Sequence, residues 1–173
     1  VDLFIDIAQK SAHPIKYVRD PAIIALFGFE GLKATELIAL RWSDFLAENG
    51  WGSLRISGQR GRVIQLTRES THHLTTYREV MVGFRHPNFA WDGGAYMFKG
   101  FKGRDGLTPI AQISRHGIKF ALYEIGEKAG LPALNSEVLR QYAIAYLTKI
   151  GRTPPEIMQH FGLRRIAKIM AHV

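Results

Sequence analysis

Residues 28–45 read GFEGLKATELIALRWSDF and carry the most specific signal in the sequence. Gly28 and Gly31 end the apolar run before them, because glycine is unfavourable inside a helix. A short helix is predicted over residues 34–40, and it leads directly into Arg41-Trp42-Ser43-Asp44. The stretch therefore predicts a helix end, a tight connection and a second helix in close succession.

Outward from this stretch, hydrophobic patterns predict the neighbouring elements. The apolar run before Gly28 is wide enough for a central buried helix, and Asp20-Pro21 predicts its start, since proline is favoured at the first helical position. Two alternating runs joined by a glycine-containing turn predict a β-hairpin. The further predictions are a hairpin over residues 53–57 and 62–66, a helix over 70–82, a glycine-rich loop over 84–108 and a helix over 114–128.

The C-terminal residues 135–173 predict three consecutive helices. Asn135 or Ser136 caps the first, Thr153-Pro154 opens the second, and the third runs from Leu163 to Val173. Arg140 lies near the start of the first helix, which is otherwise built for burial. Its guanidinium needs an anionic partner, and both a carboxylate in an ordinary ion pair and a bound phosphate meet that need.

Composition limits the classes of function. The 173 residues carry 23 Lys and Arg against 15 Asp and Glu, and the net charge of +8 suggests a polyanionic partner, although an ordinary basic protein has the same balance. There is no cysteine, no apolar run long enough for a membrane span and no signal-peptide pattern. The first residue is Val, which is consistent with a piece of a longer protein. These observations predict a cytoplasmic, nucleoid-associated protein.

Seven residues of the first stretch match the pattern Gly-Leu-Arg-x-Ser-Glu-Leu-x-x-Leu-x-Trp-x-Asp. They are Gly31, Leu32, Glu36, Leu37, Leu40, Trp42 and Asp44. Three further matches follow in order, Glu137-Val138-Leu139-Arg140-Gln141 with His-x-Leu-Arg-His, Phe161-Gly162-Leu163 with Leu-Gly-His, and Met170-Ala171-His172-Val173 with Tyr-Thr-His-Val. On these motifs the chain resembles the catalytic domain of the tyrosine recombinases, the phage-integrase and Xer-like family.

The resemblance covers nearly the whole chain and implies its architecture. We expect a mainly α fold with a small antiparallel β-sheet, in one domain over residues 1–173. Residues 95–98 resemble the short strand that precedes a helix in the family. The family's separate N-terminal core-binding domain is not part of this chain.

The resemblance also implies a chemistry, most of whose residues are replaced here. In the family a tyrosine attacks a DNA phosphodiester, two arginines clamp the phosphate, a hairpin lysine protonates the leaving oxygen and histidines assist. The two arginine positions hold Arg140 and Lys33. The other catalytic positions hold Gln59, Glu137, Leu163 and Met170. Because none of these four can take the family's role, we expect a vestigial active site, with its residues gathered in one basic cleft.

Glu137 has two alternative interpretations. Its carboxylate lies where a scissile phosphate would lie and so opposes phosphate binding. Alternatively, it pairs with Lys33 or Arg140 and holds the site shut in an internal ion pair.

The first functional hypothesis is a recombinase-derived domain that binds double-stranded DNA without cleaving it and acts as a regulatory or architectural factor in DNA integration or recombination. A homo-oligomer or an active recombinase is a plausible partner, and we expect no cofactor and no metal. The adjacent His72 and His73 point apart on a helix, which is poor metal geometry. The predicted DNA contacts are Lys33, Arg60, Arg62, Lys99, Lys102, Arg104, Arg115, Arg140, Arg164 and Arg165.

Two other hypotheses stay open. One is an active recombinase whose catalytic residues are displaced or supplied from elsewhere. Tyr142, Tyr146 and His160 are the nearest substitutes, but we expect the two tyrosines to be core or groove residues and His160 not to point toward the site. The other is a protein-interaction module that keeps the scaffold and binds no DNA. A covalent DNA adduct separates the first from our main hypothesis, and the absence of salt-sensitive DNA binding separates the second.

Overall fold

The computed structural model describes residues 1–165, in which helices predominate. Two antiparallel sheets accompany them, one of three strands and one of two. This architecture confirms the predicted fold class. The elements in chain order are α1 (Asp2–Gln9), α2 (Lys16–Gly28), α3 (Ala34–Ala39), a short 3-10 helix (Trp42–Asp44), β1 (Phe45–Glu48), β2 (Trp51–Ile56), β3 (Arg62–Gln65), α4 (Arg68–Gly83), β4 (Gly100–Lys102), β5 (Thr108–Ile110), α5 (Arg115–Lys128), α6 (Ser136–Lys149) and α7 (Pro154–Phe161).

Helix α2 is the centre of the core. Its residues 23–27 are fully buried, and the helix packs against α1, α4 and α6. The sequence predicted this burial, but its predicted start at Asp20-Pro21 is wrong, because α2 begins at Lys16 and Pro21 lies inside it. Proline removes one backbone hydrogen bond there. The turn before it is retained because Ile15 and Val18 are buried in the core.

The three-stranded sheet contains the predicted hairpin. Strand β2 pairs with β3, and the buried Leu54 lies opposite the buried Ile64. The preceding strand β1, which the sequence did not predict, pairs Phe45 with Leu54. Its alternation of buried and exposed residues spans only four positions, which is too short a pattern to distinguish from a loop. The turn between β2 and β3 lies beside α3.

The two-stranded sheet corrects the prediction for residues 84–108. The short strand expected at residues 95–98 lies instead at β4, which pairs with β5. Tyr96 forms only an isolated bridge with Arg41, and Met97 and Phe98 are both buried. Consecutive burial is possible because Phe98 stacks on Tyr77 of α4, with ring centroids 5.5 Å apart.

The long helices α4 and α5 confirm the two predicted helices to within about two residues. Each begins at a hydroxyl side chain that accepts a backbone N–H: Thr67 accepts from Ser70, and Ser114 accepts from Gly117. Such caps satisfy donors that the first helical turn leaves free. Within residues 1–165, no helix has both the length and the apolar character needed to cross a bilayer.

Helices α6 and α7 confirm the first two of the three predicted C-terminal helices. The Asn135 side chain caps α6, and Thr153 caps α7 ahead of two prolines. The third helix does not begin at Leu163, because residues 163–165 are not helical. Its remaining predicted residues, Met170 among them, lie outside the described residues.

Candidate nucleic-acid interface

A basic groove lies between α3, the β2–β3 turn, the start of α6 and the segment after α7. It consists of three cavities that share Lys33 as a lining residue, with volumes of about 170, 550 and 610 Å³. We call these three cavities the groove. The residues of the expected vestigial site that line it are Lys33, Gln59, Glu137, Arg140 and Leu163, together with Arg60. The folded chain thus brings together residues that are more than a hundred positions apart in sequence, while Met170 lies outside the described residues.

Arg140 is fixed in place at the floor of this groove. Its Nε donates to the carbonyl oxygen of Gly31 at 2.8 Å, and its NH1 donates to the Glu137 carboxylate at 2.9 Å. The guanidinium also lies over the ring of Phe161, 6.0 Å from the centroid. Only 15% of the Arg140 side chain is exposed. Of the two partners that the sequence allowed for Glu137, the structure shows Arg140.

Gly31 connects α2 to the groove in a conformation that favours glycine. Its φ is +67°, and a Cβ built on it would lie 2.2 Å from Cζ of Phe161. The buried Phe161 ring therefore occupies the space that any side chain at this position would need. The position needs glycine for two reasons, the left-handed backbone and the approach of α7.

Arg62 is a structural residue and is not open to a ligand. Its NH1 donates to Glu36 at 2.8 Å, its Nε donates to the His160 carbonyl, and only 9% of the side chain is exposed. Burial would raise the pKa of the Glu36 carboxyl, but the hydrogen bonds from Arg62 and from the Lys33 backbone hold it below its usual range. We therefore remove Arg62 from the predicted DNA contacts.

Lys99 is also buried and is not available at the surface. The residue is 8% exposed, and its Nζ lies 3.4 Å from the carbonyl oxygen of Ala111. Burial lowers the pKa of this ammonium. In the sequence, Lys99 looks like part of an exposed loop because it lies between Phe98 and Gly100. In the structure the chain enters the core at this point. We therefore remove Lys99 from the predicted DNA contacts as well.

The other predicted contacts are distributed around the groove and beyond it. Arg115 lines the groove, together with Lys119, which the sequence analysis had not assigned to the site. Arg164 and Arg165 line a neighbouring cavity of about 270 Å³ with Arg60 and Leu163. Lys102 and Arg104 are exposed on the β4–β5 hairpin and line none of these cavities.

A buried polar cluster joins α7 to the body of the protein beneath the groove. The fully buried Glu30 accepts hydrogen bonds from the Thr67 backbone N–H at 2.8 Å and from the Thr67 hydroxyl at 2.6 Å. Its second oxygen lies 3.0 Å from Nε2 of His160, a close contact without hydrogen-bond alignment. The His160 side chain therefore contacts Glu30, and its own carbonyl holds Arg62.

Neither tyrosine on α6 lines the groove. Tyr142 is exposed, whereas Tyr146 packs on Phe29 with ring centroids 4.6 Å apart. Burial and the nearby Glu69 carboxylate raise the pKa of the Tyr146 phenol, which disfavours the phenolate that a nucleophile needs.

The β4–β5 hairpin, which carries Lys102 and Arg104, is held by His13. The His13 Nδ1 accepts backbone N–H groups from Ile15 and Lys16, both at 3.1 Å, so the proton lies on Nε2, which donates to the Gly106 carbonyl at 2.9 Å. Burial lowers the pKa of His13, and the charges of Lys16 and Arg19 lower it further. The arrangement requires a neutral imidazole.

We expect His13 to make stability pH-dependent. The unfolded chain takes up the His13 proton near pH 6.5, whereas the folded chain resists it, so this stabilisation is complete above about pH 7 and decreases as the pH falls below about 6.5. Urea unfolding at about pH 7.5 and 5.5 should show a larger loss of stability for wild type than for His13→Asn, whose amide can still accept the backbone N–H groups. The lowered pKa of His73 affects both proteins equally. An identical pH dependence would contradict this assignment.

The groove can attract an anion but offers little acid–base chemistry. Its smallest cavity combines the cations Lys33, Arg60 and Arg140 with the carboxylate of Glu137. The Gln59 amide and the Leu163 side chain supply no proton at neutral pH. No three His, Asp or Glu side chains within residues 1–165 are grouped as metal ligands. The arrangement is suited to phosphate binding.

Sequence reasoning anticipated Glu137 as a partner of Arg140 but missed the other two groups that hold the guanidinium. The Gly31 carbonyl and the Phe161 ring are more than twenty residues from Arg140 on either side, and neither is a polar side chain. The two matched motifs that contain Gly31 and Phe161 were the available signal, because both were aligned to the same family. In the folded chain the two motifs meet, because the Phe161 ring lies against Gly31.

Comparisons with known proteins confirm the resemblance read from the sequence, because the chain is similar to tyrosine recombinases in sequence and shares the fold of their solved structures. No protein-family model matches the chain. The tyrosine recombinase XerC of Lactobacillus delbrueckii subsp. bulgaricus is 29% identical over 160 residues, which cover 90% of this chain and 51% of that protein. The chain thus spans about half the length of the curated relatives it matches.

Solved structures share the fold at low sequence identity. The XerA recombinase superimposes with a TM-score of 0.74 at 18% identity, covering 99% of this chain and 55% of the other. The XerH site-specific recombinase bound to its difH substrate gives a TM-score of 0.72 at 16% identity, covering 99% and 47%. The Tn1549 transposon integrase in complex with circular intermediate DNA gives 0.68 at 15% identity, covering 99% and 59%.

Proposed function

We propose that this chain is a DNA-binding domain of the tyrosine-recombinase type that does not cleave strands and acts as a regulatory or architectural factor in DNA integration or recombination. The observation that carries the proposal is the groove itself. Lys33, Arg60 and Arg140 line one cavity, whereas the acid and base positions implied by the resemblance hold Gln59 and Glu137. The charge for binding a phosphate backbone is present without the groups for breaking it.

The structural relatives support DNA as the partner. XerH is bound to difH substrate in a pre-cleavage complex, the Tn1549 integrase is in complex with circular intermediate DNA, and each alignment covers 99% of this chain. The contacts predicted here are Lys and Arg side chains that can bind phosphate groups. Neither the sequence nor the groove assigns any of them to a base edge. Binding should therefore be directed to the phosphate backbone and depend strongly on salt. The revised set of contacts is Lys33, Arg60, Lys102, Arg104, Arg115, Lys119, Arg140, Arg164 and Arg165.

Loss of strand cleavage is proposed from the same residues. Lys33 keeps a positive charge where the resemblance implies an arginine, but an ammonium lacks the planar fork that clamps two phosphate oxygens. The amide of Gln59 cannot act as a general acid, and the aligned nucleophile position is Met170. Every part of such a reaction acts on a single phosphate, so these replacements should not be compensated by Arg140 alone.

A binding experiment over a salt series tests the proposal. We expect duplex DNA affinity to fall steeply between about 50 and 200 mM salt. The double variant K33E/R60E should bind about tenfold or more weakly and lower the salt slope by about two, because about 0.9 is lost per phosphate contact. Lys10→Glu makes the same kind of charge reversal at a residue that lines none of the groove cavities and should change affinity little.

A denaturing gel with nicked suicide substrates accompanies this measurement. We expect no covalent protein–DNA band. Such a band would establish an active recombinase with displaced residues and would overturn the loss of cleavage. The absence of any salt-sensitive binding would overturn DNA as the partner and favour the protein-interaction module.

A further inference from the structure

We infer that Glu137 sets the phosphate affinity of the groove by occupying the Arg140 donor that a phosphate would otherwise take. Wild-type protein then holds a DNA phosphate mainly through Lys33 and Arg60, and Arg140 contributes its charge without forming a two-oxygen clamp. The inference rests on the proposed function and refines it, because it identifies the residue that limits binding at the same groove.

The donors of Arg140 show what Glu137 blocks. A guanidinium presents five N–H donors, and a bidentate clamp needs two that point the same way. The Nε–H is used by the Gly31 carbonyl, and NH1 donates to the Glu137 carboxylate. The guanidinium cannot turn to present another pair, because its side chain is 15% exposed and lies over Phe161. Because the Nε–H is taken, the remaining two-oxygen clamp is the one formed by NH1 and NH2, and a phosphate bound there would have to share NH1 with the Glu137 carboxylate.

The position of Glu137 argues against a mainly stabilising role. Its side chain is 69% exposed, and its partner lies three residues along the same helix. Exposed ion pairs of this kind contribute little to stability. The carboxylate nevertheless lines the same cavity as three cations, and it lies in the first turn of α6, whose N-terminus favours negative charge. Glu137 thus occupies the place where the local charges would favour a bound phosphate.

The first test measures binding of inorganic phosphate without DNA. The probe is followed by chemical-shift titration of Arg140 Nε–H in wild type, E137Q and E124Q. We expect E137Q to bind phosphate about fivefold more tightly, which is the effect of removing one negative charge about 4 Å away in water. The amide oxygen of the glutamine can still accept from NH1, but a neutral acceptor is weaker than a carboxylate, so a phosphate displaces it. The same variant should be slightly less stable, because α6 loses a favourable charge in its first turn. A purely structural residue would lower stability without any gain in affinity.

The control E124Q makes the same change in net charge at a different place. Glu124 lines a cavity on the α1 side of α5 and none of the groove cavities. Its phosphate affinity should equal that of wild type. Equal phosphate affinity for wild type and E137Q, or an equal gain in E124Q, would overturn the inference.

The second test uses duplex DNA and separates the inference from the proposed function. E137Q should make the salt slope steeper by about 0.9, as expected for one additional phosphate contact. Arg140→Lys, which keeps the charge but lacks the planar fork, should weaken DNA binding little in wild type, where no clamp forms, and severalfold more in the E137Q background. Unequal effects in the two backgrounds support the inference, and equal effects overturn it. If wild type shows no salt-sensitive DNA binding, the proposed function fails, and the phosphate titration still decides the role of Glu137.

Discussion

Replacing Gly31 with alanine is expected to lower the free energy of unfolding by about 3 kcal/mol. The left-handed conformation alone costs an L-residue about 1–2 kcal/mol, and forcing an extra methyl group into a packed site costs about 1–3 kcal/mol more. The methyl group would lie 2.2 Å from Cζ of Phe161, so the ring and α7 have to move. Urea unfolding, read at a constant m-value, measures the loss.

Gly50→Ala is the matched control for this substitution. Gly50 has a similar φ of +78°, but apart from its chain neighbours no residue comes within 4 Å of a Cβ placed there. It should therefore pay only the backbone cost of about 1–2 kcal/mol. If the two variants lose the same stability, the contact between Gly31 and Phe161 contributes nothing, and the explanation given for the glycine fails.

Glu30→Ala is expected to lower the free energy of unfolding by about 3–5 kcal/mol. The substitution leaves the Thr67 backbone N–H and hydroxyl without their acceptor in the interior, at about 1–3 kcal/mol for each group, and opens a cavity beside His160. Thermal and urea unfolding both measure the effect. The Thr67 side chain also caps α4, so the loss should extend to that helix.

The isosteric variant Glu30→Gln isolates the charge from the hydrogen bonds. Its amide oxygen can still accept from Thr67, and its NH2 group can face the His160 ring, so we expect a loss of about 1 kcal/mol. If Glu30→Ala unfolds at the same denaturant concentration as wild type, the buried carboxylate does not stabilise the packing of α7 against the rest of the protein.

Much of the fold could be predicted because its determinants are local or carried by a motif. The cap-and-proline sequence at Thr153 predicted α7, and the alternation around residues 53–66 predicted the hairpin. The same cap-and-proline rule gave a wrong helix start at Pro21. Tertiary packing extends α2 by a further turn toward the N-terminus, so that Pro21 lies inside the helix. Strand β1 was missed because four residues carry too little periodicity.

The candidate site was less predictable, because a cation in a sequence does not show whether it has a partner. Arg60 and Arg62 are two positions apart on the same hairpin. Yet Arg60 is exposed at the groove, whereas the donors of Arg62 are hydrogen-bonded to Glu36 and to the His160 carbonyl. Lys99 is buried by a chain path that only the tertiary structure defines. Glu137 is the opposite case, since its two possible partners were known from the sequence and the geometry selected Arg140.

The residues of the first matched motif serve packing and capping. Glu36 accepts the Lys33 backbone N–H and fastens Arg62, Asp44 accepts the Arg41 backbone N–H and holds Arg55, and the Trp42 ring packs against Tyr77. Each of these contacts would be selected in any protein that has to keep this scaffold folded, whatever it does with DNA. A match to this motif therefore reports a requirement of folding, and it does not by itself tell whether the groups that react on DNA are kept.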